Sequence, residues 1–353
     1  MPSAKRLSSG NWRVLAYVGK DKNGKRQYKS FTNADKKQAE FEAAEFLVKR
    51  KKENKAENLT FKAASDQYIQ NKANLLSPST LRGYRIMQNN AFPDVEKETI
   101  GKLAVNNSFQ KQMNENAKKY AAKSLKNQLG FITAVMGYFN YHIDRITIKP
   151  REKKKILVPT KSDSVKIIML LRTAPEIECQ ALLALSCSLR QSEIAALTPA
   201  DISGNSVHVH GALVPNEKGE LVYKPTNKSS AGTRTDTMPD YLAKRMEERC
   251  KGLNSTDYIF SLPPDAVLYR FKRLLKANGL PPYTVHSLRH CFAATLHAMH
   301  VPDKYIMEMG GWDTDSVMKD IYQYAFEDET QKVKKKANAY FDHIMQHEMQ
   351  HKK

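Results

Sequence analysis

Arg190 lies in Ser188-Leu189-Arg190-Gln191-Ser192-Glu193-Ile194, and Arg289 lies in a second box far downstream, His286-Ser287-Leu288-Arg289-His290. A guanidinium presents a planar fork of donors, stays charged at any working pH and suits the non-bridging oxygens of a phosphate. His286 precedes Arg289 by one helical turn, so both side chains can approach one phosphate, where an imidazole hydrogen-bonds an oxygen or passes a proton near neutral pH. These residue types suit the metal-free breaking of a phosphodiester. That reaction needs a nucleophile, positive charge where the pentacoordinate transition state gathers negative charge, and a proton for the leaving 5′ oxygen. With 57 Lys and Arg in the chain, a surface cation is the ordinary alternative for any one arginine. Context separates these two: Arg190 follows the apolar run Ala181-Leu182-Leu183-Ala184-Leu185, and Arg289 immediately precedes a stretch rich in Phe and Ala.

Further on come Gly310-Gly311-Trp312 and Ile321-Tyr322. With the two arginine boxes they resemble the tyrosine recombinase (phage integrase) family, of the kind carried by temperate phages or conjugative transposons. That family is marked by an Arg with an acidic residue three positions on, a His-x-x-Arg box, a Gly-His or Gly-Trp pair, and a Tyr about ten residues beyond it. The resemblance extends over the whole chain. It implies a site-specific DNA recombinase that cuts and rejoins strands at attachment sites through a 3′-phosphotyrosyl intermediate, integrating and excising a mobile element without ATP, cofactor or metal. By the resemblance Tyr322 is the nucleophile, Arg190 and Arg289 clamp the phosphate, and Glu193 orients the first arginine or its neighbours. Trp312 stands where many members carry a second histidine, and its indole can donate one hydrogen bond but cannot shuttle protons. The family's proton donor is a lysine on a β-hairpin loop, which Thr226-Asn227-Lys228-Ser229-Ser230-Ala231-Gly232-Thr233-Arg234 resembles; Lys228 is the candidate and Lys224 the runner-up. Tyr324 sits where members usually carry a His and marks the alternative register, while Ser188 stands where the family usually has Gly. The implied partners are double-stranded DNA at core and arm sites, further protomers of a tetramer, a host DNA-bending protein and an excisionase. The competing reading is a catalytically silent architectural or regulatory DNA-binding protein of the same fold.

Positioning such residues calls for several domains, and the chain is predicted to be mainly α with small β-sheets. Trp12, Val14, Ala16 and Val18 alternate with Arg13, Leu15 and Tyr17, which predicts a strand. Asp21-Lys22-Asn23-Gly24 suits a tight hairpin, and Lys25 to Phe31 the return strand. A helix starting at Thr32, with Asp35 three residues on, follows. Residues 1–58 are thus expected to form a three-stranded sheet plus helix whose basic face is a candidate for arm-site DNA. Helical signals from Thr60-Phe61, Ser77-Pro78-Ser79, Ser108–Tyr120 and Ala122–His142 predict an all-helical domain over 59–150, which the resemblance makes the core-binding domain. The charged, proline-bearing stretch Lys149-Pro150-Arg151-Glu152-Lys153-Lys154-Lys155 reads as a joint. Beyond it, 151–353 is predicted as a mixed α+β catalytic domain: helices over Ser162–Arg172 and Glu176–Leu197, strands over Ser206–Val214 and Leu221–Tyr223, then helices. Gln331–Lys353 reads as a terminal amphipathic helix, which the family packs onto a neighbouring protomer.

Composition agrees with a polyanionic partner. The 353 residues carry 57 Lys+Arg against 37 Asp+Glu, a net charge of +20, and 41% are hydrophobic, enough for packed cores. No run is apolar enough to span a membrane and Met1-Pro2-Ser3-Ala4-Lys5-Arg6 opens no signal peptide, so a cytoplasmic protein is expected. Cys179, Cys187, Cys250 and Cys291 form no Cys-x-x-Cys pair and read as buried thiols. His343, His347 and His351 recur every fourth residue, but no Glu or Cys completes a zinc pattern, so no metal is expected. His208 and His210 share one side of a strand and read as exposed polar residues.

Overall fold

The computed structural model describes residues 3–20, 25–150, 156–225, 233–312 and 334–343. The chain divides into two compact units, Met1–Glu152 and Lys153–Lys353.

In the first unit β1 (Lys5–Arg6), β2 (Trp12–Lys20) and β3 (Arg26–Asn33) form an antiparallel sheet in that order. The period of two appears in its burial: Val14 and Ala16 are inaccessible, while Leu15 and Tyr17 are about half exposed. The predicted turn, Asp21 to Gly24, lies outside the described residues. Helix α1 (Lys36–Glu57) seats Ala39 and Ala43 against Val14. It starts later than predicted because Thr32 stays paired with Arg13 in the sheet, and the Asp35 carboxylate caps it by accepting the Lys37 backbone N–H at 2.7 Å. Five helices follow: α2 (Phe61–Asn71), α3 (Pro78–Asn90), α4 (Ile100–Leu103), α5 (Ser108–Lys119) and α6 (Ala122–Tyr138). Thr60 caps α2 through the Ala63 N–H, and Pro78 takes the first turn of α3, where its missing N–H costs nothing. Phe61 packs edge-on against Phe92 and Phe109 at the centre of this helical core.

In the second unit the core helix α8 (Pro175–Ser186) is surrounded by α7 (Lys161–Leu171), α10 (Asp240–Cys250), α11 (Pro264–Ala277) and α12 (Val285–Ala298). Short helices α9 (Gln191–Ala195) and α13 (Asp303–Gly310) also belong to this unit. Strands β4 (Ile202–Ser203), β5 (Ser206–Val209) and β8 (Arg234–Thr237) form one small sheet, and β6 (Gly211–Pro215) pairs with β7 (Leu221–Pro225) in another.

Two predictions fail here for identifiable reasons. The helix expected over Glu176–Leu197 breaks at Cys187 because Ser188 turns left-handed, with φ 54°. The strand expected over Ser206–Val214 divides at His210, one half joining each sheet, and β8 was not foreseen. Residues 334–343 are helical; His347 and His351 lie outside the described residues. Cys179, Cys187 and Cys291 are buried thiols, Cys250 is partly exposed, and no described helix is long and apolar enough to cross a membrane.

Candidate active site

The break at Ser188 places the first arginine. A left-handed residue after α8 reverses the chain, Leu189 enters the core with 1% exposure, and Arg190 emerges as the residue capping α9. Its backbone N–H donates to Glu193 Oε2 at 2.9 Å, its Nη1 to Glu193 Oε1 at 2.5 Å, and its Nη2 to the Gly311 carbonyl at 2.9 Å. Glu193 is buried and also meets a second cation, Arg234 Nη2, at 3.3 Å. Arg234 in turn donates from Nε to Asp236 Oδ2 at 2.8 Å.

Helix α12 places the second arginine. Thr284 and Ser287 cap it reciprocally, so His286 and Arg289 fall in its first turns. Arg289 is 1% exposed. Its Nη1 donates to the Ser188 carbonyl and its Nη2 to the Gly310 carbonyl at 2.5 Å, while the Trp312 ring lies 4.5 Å from the guanidinium carbon. Glycine is required beneath that ring, since a Cβ at Gly310 would fall inside it. Gly311 ends α13 left-handed, at φ 60° and ψ 46°, a backbone that side chains disfavour. Arg190 and Arg289 therefore hang from the carbonyls of successive residues, Gly311 and Gly310.

The electrostatics follow from burial and positive charge. Burial lowers the Arg289 pKa to about 9, helped by Arg190 and only partly opposed by Glu193, and still leaves it protonated at neutral pH. His286 is exposed at the surface, yet lost hydration and the charges of Arg289 and Arg190 lower its pKa, so it is neutral at pH 7. Its ring meets His290 edge to face at 4.5 Å, and burial pushes His290 down to about 4. Burial would raise Glu193, but Arg234 and Arg190 overturn that and hold it below the ordinary carboxylate value. Asp236 goes the other way: burial lifts it to about 6 despite Arg234. The result is a cationic pocket with a neutral imidazole at its rim, suited to an oxyanion.

Arg190, His286, Arg289 and Trp312, from three separate stretches of chain, come together in this unit. Lys228, Tyr322 and Tyr324 lie outside the described residues. Lys224 is on β7 opposite Ala212, partly buried, and no described hydrogen bond or ion pair joins it to the arginines. The motifs did not foretell Arg234 or Asp236 as partners, nor the two glycine carbonyls as anchors. Arg234 was visible only as the end of a loop, and its contact with Glu193 needs the unforeseen strand β8.

Residues 160–329 match the phage integrase family. A protein described as tyrosine recombinase XerC-like, from Caldanaerobacter subterraneus subsp. tengcongensis, is 25% identical over 360 residues, covering 89% of this chain and 92% of its own length. Among solved structures, the Tn1549 transposon integrase in complex with transposon right end DNA superposes with a TM-score of 0.61 at 16% identity, over 79% of this chain and 99% of that one. A lambda integrase dimer bound to a COC′ core site gives 0.54 at 18% identity, over 92% and 95%. These two likenesses speak for the fold. Family match, relative and fold agree: residues 160–329 match the phage integrase family, and the chain is similar to tyrosine-type site-specific recombinases.

Proposed function

We propose that this recombinase binds double-stranded DNA and cuts it through Tyr322, whose phenol attacks a phosphodiester, displaces the 5′ oxygen and leaves a 3′-phosphotyrosyl link. The link conserves the energy of the broken bond, so a 5′ hydroxyl from another strand can reverse the step without ATP. Arg190 and Arg289 hold the non-bridging oxygens, and neutral His286 hydrogen-bonds the same phosphate or takes the phenolic proton. Trp312 backs Arg289, and Lys228 delivers the proton to the leaving oxygen, with Lys224 second in line. The observation that carries this reading is the suspension of both guanidiniums from adjacent carbonyls, which brings two forks to one spot beside His286.

In the same reading residues 1–58 grip arm sites, where Arg13, Leu15, Tyr17 and Tyr28 lie on the open side of the sheet, 59–150 bind the core site and 151–353 cut it. The net charge of +20 suits that polyanion. Four protomers exchange C-terminal helices on two sites, assisted by a host DNA-bending protein and an excisionase, and the element integrates or excises in a bacterial cytoplasm.

Covalent trapping tests it. The protein is incubated in EDTA with labelled DNA from the regions flanking its gene and run on a denaturing gel. A protein–DNA adduct is expected in the parent and in Tyr324→Phe, and none in Tyr322→Phe. Loss in Tyr324→Phe alone would move the nucleophile by two residues. Tight, salt-sensitive binding with no adduct from any fragment would favour the catalytically silent DNA-binding protein.

A further inference from the structure

We propose that Arg234 is a positioning residue for strand cutting, which holds Glu193 and through it sets the fork of Arg190; the proposal rests on the recombinase reading above. Three observations converge. The Arg190 side chain is 40% exposed, whereas Glu193 and Arg234 are 2% and 8% exposed, so a half-solvated cation is aimed by buried partners. Both Glu193 oxygens are committed: Oε1 accepts from Arg190 Nη1, and Oε2 accepts from the Arg190 backbone N–H and from Arg234 Nη2. Without Arg234, one cation would face a buried carboxylate, and desolvation would drive Glu193 toward its neutral form and loosen its grip.

The third observation is that Arg234 is itself fixed. Its Nε donates to Asp236, and both residues sit on β8, paired with Val209 and Val207 of β5. Position therefore passes from the small sheet through Arg234 and Glu193 to the phosphate clamp. Around Asp236 stand Arg234, Glu193, Arg289 and the Cys187 thiol; Arg234 is the one bonded to it. Arg234 Nη1 is buried and has no hydrogen-bond partner among the described residues, so the guanidinium is anchored by its two acids. Acting through Glu193, Arg234 should govern the rate of cutting and leave DNA affinity alone.

The test measures single-turnover adduct formation by the full chain, with saturating protein, on the DNA fragment that the parent cuts, and equilibrium affinity for the same fragment. Arg234→Met removes charge and fork; Arg234→Lys keeps the charge and is the variant to use should the first not fold. Arg234→Met is expected to cut about ten- to a hundredfold more slowly, and Arg234→Lys less severely, with affinity unchanged. Neither should add a further loss in a Glu193→Gln background, because both act on one link. Parental cutting rates in the variants, a matching loss of DNA affinity, or losses that multiply with those of Glu193→Gln would each overturn the proposal. A parent chain that forms no adduct on any fragment would instead overturn the recombinase reading, and the proposal with it.

Discussion

Around Arg289 the contacts are neutral: two backbone carbonyls and an indole ring enclose a guanidinium that solvent does not reach. Around Arg190 they are charged: Glu193 binds it on two sides, Arg234 stands behind, and Asp236 behind that. Carbonyl dipoles and a π face can hold a cation in place without cancelling its charge, whereas a carboxylate at 2.5 Å offsets much of it. Arg289 thus supplies field and Arg190 supplies geometry. In the proposed phosphate clamp, a pair of arginines that look equivalent as motif residues would divide the work.

The largest effect that would break this division is expected at Arg289. Arg289→Lys can keep one carbonyl contact but loses the fork and the flat stack, and strand cutting should fall about a thousandfold, read as the single-turnover adduct rate. If Arg190 acts mainly by geometry, Arg190→Lys should cost less, about a hundredfold, in the same assay. An equal loss at both would erase the distinction.

Acid titration separates two buried groups of the site by sign. His290, on the Arg289 side, has a folded pKa of about 4 against an ordinary 6.5, so the unfolded chain takes up the proton first and stability is lost as pH falls through that window. Asp236, bonded to Arg234 behind Glu193 and also within the field of Arg289, has a folded pKa of about 6 against 3.8, so the folded chain takes up the proton first and stability is gained as pH falls through that window. Urea unfolding between pH 4 and 7 should show a flatter acid loss in His290→Asn and a steeper one in Asp236→Asn, each by roughly 2 kcal/mol.

The smallest effect concerns the turn that serves both sides. Ser188 holds a left-handed backbone, and its buried Oγ has no partner among the described residues. Ser188→Gly should relieve both and stabilise the chain by about 1 kcal/mol, seen as a higher Tm, with cutting unchanged.

Those surroundings also differ in how far the sequence exposed them. His286 and Arg289 are one turn apart in a helix, and that spacing is legible without a structure. So are the Thr60 cap, the bounds of α5, the start of α6 and the alternation of β2, though α6 ends at Tyr138, four residues short of the His142 expected. Ser188 was not read as a turn, because Leu189 and Ile194 continue the apolar periodicity of α8; the one hint was the resemblance, which places Gly at that position. Strand β8 was not, because Arg234-Thr235-Asp236-Thr237 has no apolar alternation and is a strand only through its pairing with β5. The Glu193–Arg234 contact spans 41 residues and inherits that illegibility. Local periodicity reports what a segment does alone; it is silent on which segments meet.

Gly311 has a consequence for the clamp as a mechanism with moving parts. The carbonyls of Gly310 and Gly311 belong to successive rigid peptide planes that share the Gly311 Cα as their only hinge. The gap between the two guanidiniums therefore depends on that residue's two dihedral angles, 60° and 46°, alongside the grip of Glu193 on one and of Ser188 on the other. Tilting either plane about that hinge would shift one guanidinium's carbonyl anchor against the other's, so the spacing of the two forks depends on a single glycine's backbone.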